Sequence, residues 1–397
     1  MLTGLIITGS IITIAYIIVI LSIEDGFRKE NLSSGVSERS VSVSVIVACR
    51  NEESGIAALL DSLTNQHLPD LIREYEVIVV NDYSDDRTAE IVSEYCGKGI
   101  VTLLDAKKIE NNGCSKKKSL RIGVGKAKGE LLVFTDGDCV PSVHWIESMV
   151  RCYLNRKGKA RMIAAAVVPF DERSLLSDIQ LLECCVLMGV TAGAIRSGRP
   201  LMCNGANLLI EKAVWEAADA LQGGEKYASG DDMFLLEKVK RHYGSDSIYF
   251  CLSGEQSLVR TSGLKTWKSV SIQRLRWVSK APAYTDKWIL FVAGLVFMMN
   301  FFLLISFLGS IFFNSWILVF VVFFGVKNVT DFRLVHSSIQ YFGKSRLMLY
   351  YLPLQFLGIF YVSLAAILGV FLNTSWKGRS SIRRSLNNAG RRTASCL

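Results

Sequence analysis

The chain has ten cysteines, but none is spaced as C-x-x-C and only Cys184 and Cys185 adjoin. That pattern excludes a disulfide framework and a zinc site, and it predicts reduced thiols in a core or facing a cytoplasm. Residues 2–22 are apolar but lack a basic start and a cleavage site, so they predict a retained signal anchor rather than a removed signal peptide. No internal repeat is present, and no low-complexity tract occurs outside the tail. From Asn373 onward there is no acid, only Lys377, Arg379, Arg383, Arg384, Arg391 and Arg392. Beside a membrane, such a tail predicts a cytoplasmic contact with anionic lipid. No recognition motif accompanies this charge, which argues against nucleic acid as a partner. Charges are scarce in the apolar segments, and Lys327, Asp331 and Arg333 gather at one edge, where an interfacial loop is expected. That scarcity argues against a transporter.

What is present is unevenly spread. Hydrophobic residues make up 50% of the 397 residues, the mean hydropathy is +0.31 and the net charge is +9. The apolar excess sits in the first 22 residues and after Trp288. Trp288 to Val326 is long enough for two spans, broken at Gly309-Ser310 and Asn314-Ser315, and Leu347 to Leu372 is a further candidate with Pro353 near its start. The expected layout is an anchor at 1–23, a linker at 24–41, a cytoplasmic domain at 42–263 and an amphipathic interfacial helix at 264–286. A membrane region of two to four segments follows at 287–372, then a basic cytoplasmic tail at 373–397. One span before the domain and three after would put the tail outside, against the positive-inside tendency, so either one segment is re-entrant or interfacial or the last run folds back.

Within the domain, strands alternate with helices. Val43–Ala48, Glu76–Val80, Ile100–Leu104 and Leu131–Thr135 read as short, β-branched, buried strands. Glu53–Asn65, Asp85–Tyr95 and Ser115–Lys126 read as helices, with Asp85 as a candidate N-cap. This alternation predicts an α/β fold with a parallel sheet covered on both faces. Ligands in such sheets bind at the carboxyl ends of the strands. Glu52, Asp82 and Asp136 all follow such ends, so they should converge on one crevice. From 139 to 260 the alternation fades, and Leu175–Ile195 reads as a long apolar helix.

Five clusters carry candidate chemistry. Asp136-Gly137-Asp138 places two carboxylates on a turn, where they can reach a ribose hydroxyl and a hard divalent cation together. Such a sequence is also a plain turn. Asn51-Glu52 and Asn81-Asp82 can hydrogen-bond a base or ribose, or simply cap a helix, a role that suits Asp85 and Asp86 better. Ser115-Lys116-Lys117-Lys118 opens a helix, and lysine beside helix-terminal N–H groups suits phosphate, although a solvated basic turn has the same composition. Gly230-Asp231-Asp232 precedes a helical run, where a carboxylate is either a general base for an acceptor hydroxyl or a cap. Gln273, Arg276, Trp277 and Lys280 share one helix face, with Trp267, Leu275 and Val278 roughly opposite. Such a helix would lie flat on a membrane and turn its polar face toward the sheet.

Taken together, these residues resemble the membrane-bound family 2 glycosyltransferases of the GT-A fold. That group includes the cellulose, chitin, hyaluronan and poly-N-acetylglucosamine synthases and the ceramide glucosyltransferases. The resemblance runs over residues 42–372. Gln273-Arg274-Leu275-Arg276-Trp277 matches the family's Q-x-x-R-W, Asp136-Gly137-Asp138 its D-x-D, and Ser115-Lys116-Lys117 its Gly-Lys segment. It implies a GT-A (Rossmann-like) domain with transmembrane helices, and an inverting transfer from a nucleotide-sugar at the cytoplasmic face of the cell membrane. The expected donor is a UDP-sugar, the acceptor a lipid or growing polysaccharide, and the cofactor Mg²⁺ or Mn²⁺. By resemblance, Glu52 and Asp82 contact the base, Lys116 (with Lys117 beside it) the diphosphate, Asp136 the ribose or sugar, and Asp138 the metal. Asp232 matches the catalytic base, while Gln273, Arg276 and Trp277 match residues that bind diphosphate and shape the acceptor site. Two departures stand out: Asp231 is shorter than the glutamate usual there, and Asn81 replaces the first of two aspartates. They motivate a rival reading, a non-catalytic membrane partner that keeps the pocket. The number of membrane segments favours a single transfer or a narrow polymer, which product length would separate.

Overall fold

The computed structural model describes residues 2–29, 39–97, 99–109, 116–156, 158–220, 230–371, 375–376 and 379–380. Residues 30–38 of the expected linker, Ser115 and the tail cations Lys377, Arg383, Arg384, Arg391 and Arg392 lie outside that set. The chain begins with α1 (Leu2–Arg28), which runs five residues past the expected end of the anchor at residue 23. Its last turn is held by buried Glu24, which pairs with Arg28 at 2.5 Å and with Arg333 at 3.3 Å.

The predicted alternation follows as β1 (Val41–Cys49), α2 (Ile56–Thr64), β2 (Ile72–Asn81), α3 (Thr88–Cys96), β3 (Val101–Asp105), a short α4 (Ala106–Ile109), α5 (Lys116–Lys126) and β4 (Leu131–Asp136). β1, β2 and β4 run longer than expected, β3 is shifted by one residue, and the first two helices start three residues later. The reason lies in the connecting loops. Asp86 Oδ2 accepts from the Glu53 amide and its Oδ1 from the Thr88 amide and hydroxyl, so Asp86, not Asp85, shapes the entry to α3. These bonds hold its carboxyl below the ordinary range against the opposing effect of partial burial.

Next come β5 (Cys139–Pro141), α6 (Trp145–Leu154), β6 (Met162–Ala165), β7 (Val167–Pro169), α7 (Leu175–Arg196), β8 (Leu208–Glu211), α8 (Lys212–Ala220), α9 (Asp231–Tyr243), β9 (Ile248–Cys251) and β10 (Val259–Thr261). The main sheet has seven strands in the order β3-β2-β1-β4-β8-β6-β9. Only its first four strands form the expected parallel set, because β8 runs antiparallel to both β4 and β6. The sheet is therefore mixed: after β4 the chain no longer returns through a single crossover helix, and β8 enters from the opposite end. A small second sheet, β5-β10-β7, stands beside it.

Register aligns the functional loops. Cys49 lies opposite Asn81 and Ala48 opposite Asp136, so the loops after β1, β2 and β4 leave the sheet at one edge. Side chains alternate through β1 as a strand covered on both faces requires. Val43, Val45 and Val47 pack with α2 and α6, while Ile46 packs with α5 on the other face. The latter core continues without a break into the apolar helices.

Those helices are α1, α7, α11 (Lys287–Gly309), α12 (Ser315–Tyr341) and α13 (Tyr351–Phe371), and α10 (Trp267–Val278) leads into them. A two-residue pair of strands, β11 (Ser375–Trp376) and β12 (Arg379–Ser380), follows. Among the described residues, four helices are long and apolar enough to cross a membrane: Leu2–Arg28, Leu175–Arg196, Lys287–Gly309 and Ser345–Gly369. Of these, α7 packs between the sheet and the pair α1/α12, which accounts for its apolarity. Gly26 and Gly193 let α1 and α7 meet backbone to backbone, since a Cβ at either would fall 2.2 Å from a carbonyl oxygen of the other helix. Lys327 and Asp331 correct the expectation of an interfacial loop. Both are buried within continuous α12, paired at 2.7 Å, with Tyr16 donating to Asp331 and Lys327 to Gln355. A buried ion pair of this kind persists only when its remaining polar atoms are also bonded.

Candidate active site

A cleft of about 580 Å³ opens at the carboxyl ends of β1 and β4 and is roofed by α10. Its walls include Glu52, Lys116, Lys117, Asp136, Asp138, Asp231, Asp232, Gln273, Arg276 and Trp277. One expected contact is not in the wall. Asp82 is 2% exposed and its amide donates to Cys49, so it braces the β1–β2 edge from behind. Asn81 is likewise a loop-builder: its side-chain oxygen accepts from Ser84, whose hydroxyl accepts from Asn51. Asn51 sits at φ +53, a region that asparagine tolerates better than most residues, and its side chain accepts from the Asp85 amide.

The two carboxylates of Asp136-Gly137-Asp138 are held differently. Asp136, the last residue of β4, receives the ammonium of Lys116 from the start of α5. Asp138 leads into β5 and accepts from Thr261 of neighbouring β10 at 3.2 Å, so the small sheet fixes its orientation. Burial, then the negative charge of Asp136, pushes the Asp138 carboxyl above its ordinary value, and the Thr261 bond only partly offsets this. A buried carboxylate in that condition gains from a cation. The donor set is all oxygen, which suits Mg²⁺ or Mn²⁺ rather than a soft metal. Burial lowers Lys116, yet Asp136, Asp231 and Asp232 together raise it, so it is a permanent cation at the cleft floor. Gly137 brings Glu52 alongside, because a Cβ there would lie 2.9 Å from Glu52 Cγ and 3.0 Å from Cys49 Cβ. Gly137→Ala is expected to destabilise the fold by roughly 1–3 kcal/mol through overpacking, read as a lower melting temperature in detergent.

Asp231 and Asp232 open α9 after Gly230, which sits at φ +95. Asp232 Oδ1 accepts from the Met233 amide at 2.9 Å and Oδ2 from the Gly205 amide at 3.2 Å. Two backbone donors thus aim one carboxylate, which still has lone pairs free for a substrate hydroxyl. A Cβ on Gly205 would come within 3.3 Å of Asp232 Cβ, so the loop 204–206 fits closely against it. Burial raises the Asp231 carboxyl, opposed by Lys116 and Lys117. The helix is also fixed at its other end: Glu237 accepts from the amides of Thr285 and Asp286, both at 2.8 Å, and Lys240 pairs with Asp286 at 2.7 Å. Asp286 in turn caps α11 through the amides of Trp288 and Ile289.

On α10, burial depresses Arg276 while the charges of Asp232 and Asp136 act to raise it. Trp277 is 37% exposed and stacks under Arg274, whose guanidinium carbon lies 4.5 Å from the ring centre. Arg274 was a spacer in the sequence reading. In the fold it is 4% exposed, pairs with Glu183 of α7 at 2.5 Å and donates to the Gln273 side chain. Arg274 thus ties α10 to α7, a role that the Q-x-x-R-W spacing does not signal. Away from the cleft, His67 and His144 both approach Glu147, at 2.9 and 3.1 Å, in a partly exposed cluster whose ligand atoms lie within 4.8 Å of one another.

Residues 44–174 match the glycosyl transferase family 2 profile. That match covers about a third of the chain. It is 28% identical over 244 residues to a probable glycosyltransferase of Bacillus subtilis, covering 59% of this chain and 54% of that protein. It is 31% identical over 121 residues to the dolichyl-phosphate beta-glucosyltransferase of Mus musculus, covering 28% and 35%. The chain thus spans about half the length of the Bacillus relative and about a third of the mouse one. Among solved structures, a mannosyltransferase of Pyrobaculum calidifontis in complex with GDP-Man and Mn²⁺ superposes with a TM-score of 0.59 at 16% identity, covering 94% of this chain and 99% of that one. At that identity the likeness speaks to the fold: an α/β, Rossmann-like GT-A glycosyltransferase domain with a mixed sheet, accompanied by apolar helices.

Proposed function

We propose that the protein is an inverting, metal-dependent glycosyltransferase that moves a sugar from a nucleotide-sugar to a lipid or polysaccharide acceptor at a membrane face. The observation that carries this reading is one cleft joining a D-x-D pair, a carboxylate aimed by two amides and the Q-x-x-R-W face. The relatives support it, as does the neighbour solved with GDP-Man and Mn²⁺.

In this mechanism Glu52 holds the donor's nucleoside part, and Asp136, tied to Lys116, holds its ribose or sugar. Asp138 would hold Mg²⁺ or Mn²⁺, which when bound neutralises charge on the leaving diphosphate. Arg276 and Lys116 supply fixed positive charge in the same place, and Gln273 and Trp277 border the acceptor. Asp232 takes the proton as the acceptor oxygen attacks the anomeric carbon. One displacement forms the new glycosidic bond, breaks the bond to the diphosphate and inverts the configuration. Asp82 acts through the β1–β2 edge instead of touching the donor. Asp231, raised by burial, shares the field of Lys116 and Lys117. In this reading the domain sits at a membrane with the cleft beside α10, which is supported by four helices among the described residues that are long and apolar enough to cross one.

Membranes bearing the protein, given a panel of UDP- and GDP-sugars, are expected to release nucleoside diphosphate from one donor with Mn²⁺, and at least about a hundredfold less with EDTA. Release unaffected by EDTA would remove the metal from the mechanism. A protein that binds nucleotide yet releases nothing from any donor, with lipid extract supplied as acceptor, would favour the non-catalytic partner.

A further inference from the structure

Lys280 lies one turn beyond Arg276, just past the end of α10, and lines the cleft. It is 9% exposed, and no acceptor among the described residues bonds its ammonium. Its stem rests on Gly230, where a Cβ would lie 2.9 Å from Lys280 Cδ and 3.3 Å from Nζ. That contact brings the ammonium to the start of α9, the positive end of the helix dipole. Arg276 adds a second positive charge, while Asp232 and Asp231 act on Lys280 at longer range. Burial holds the lysine below its ordinary pKa, so the folded protein bears a cost for keeping it there. An ammonium held in a cleft wall without a protein acceptor is open to an anion that enters the cleft.

We propose that Lys280 is a phosphate-binding residue whose ammonium meets a phosphoryl oxygen of a bound substrate at the Gly230–Asp232 end of the cleft. The proposal rests on reading the cleft as the site of glycosyl transfer. A phosphoryl group there has two sources, the donor's diphosphate or a phosphate carried by the acceptor, and one experiment separates them.

Full-length protein in detergent, with Lys280→Met and Lys280→Arg variants, would be assayed three ways: melting temperature without ligand, affinity for UDP and GDP with Mn²⁺, and affinity for dodecyl phosphate. Lys280→Met is expected to melt no lower than the parent, since it removes an unpaired buried charge. It is also expected to bind one class of probe about ten- to a hundredfold more weakly, and Lys280→Arg should recover much of that loss. A loss confined to UDP or GDP assigns the donor diphosphate, and a loss confined to dodecyl phosphate assigns an acceptor phosphate. Unchanged affinity for both classes in Lys280→Met overturns the proposal, whatever the melting temperature. If the parent binds UDP or GDP and only the Lys280 effect is missing, the transferase reading stands. If the parent binds none of the probes, both readings fall.

Discussion

Asp232→Asn is expected to lower sugar transfer by about 10²–10⁴-fold, the range for loss of a general base, while nucleoside diphosphate still binds. The asparagine keeps the shape of the side chain, and its one carbonyl oxygen can still accept from an amide, as Asp232 does from Met233 and Gly205. It cannot take a proton from the acceptor. The comparison therefore isolates chemistry from folding and from donor affinity. Donor binding would be measured by calorimetry with UDP or GDP, and transfer by release of nucleoside diphosphate. A variant with parental turnover would remove Asp232 as the base and leave Asp231, on the same helix start, as the next candidate. A variant that also lost nucleotide binding would show that this carboxylate organises the cleft.

Asp138→Asn is expected to reduce Mn²⁺-supported transfer by about a thousandfold, since a bound cation supplies several kcal/mol toward leaving-group charge. The substitution preserves an oxygen that can accept from Thr261, so β5 and β10 should keep their pairing. The variant also removes a buried charge that burial and Asp136 both disfavour. Without metal it should therefore melt at the same temperature as the parent or higher, and adding Mn²⁺ should shift its melting less. A melting shift equal to the parent's would place the metal elsewhere, and His67, His144 and Glu147 would then need testing.

Much of this was readable from residue order. β1 and β4 show as short apolar runs because they are buried on both faces, and both lead into polar clusters, as β2 does. Parallel register then brings those clusters to one edge without further information. The reversal at β8 was not readable, because Leu208–Glu211 looks the same whichever way it runs, and strand direction depends on connections that carry no local pattern. Capping suited both Asp85 and Asp86, which are equivalent in sequence, and only the loop after β1 chooses Asp86. Asp82 was expected to contact the donor; in the fold it is 2% exposed and does not line the cleft. Lys327 and Asp331 suggested a loop because charge inside an apolar helix is costly, yet Tyr16 and Gln355, distant in sequence, complete their bonding.

The double tie from α9 to the head of α11 has a geometric consequence. Glu237 and Lys240 fasten α9, which carries Asp232 in its first turn, to the first residues of an apolar segment. If α11 sits in a bilayer and Asp232 is the base, as proposed, its carboxylate would stand at a set height above the lipid surface, and the tie would act as a ruler. An acceptor tethered in that bilayer would be selected by how far its hydroxyl projects as well as by its shape. Under the proposed function, spacer length between anchor and hydroxyl would then decide which molecules are glycosylated.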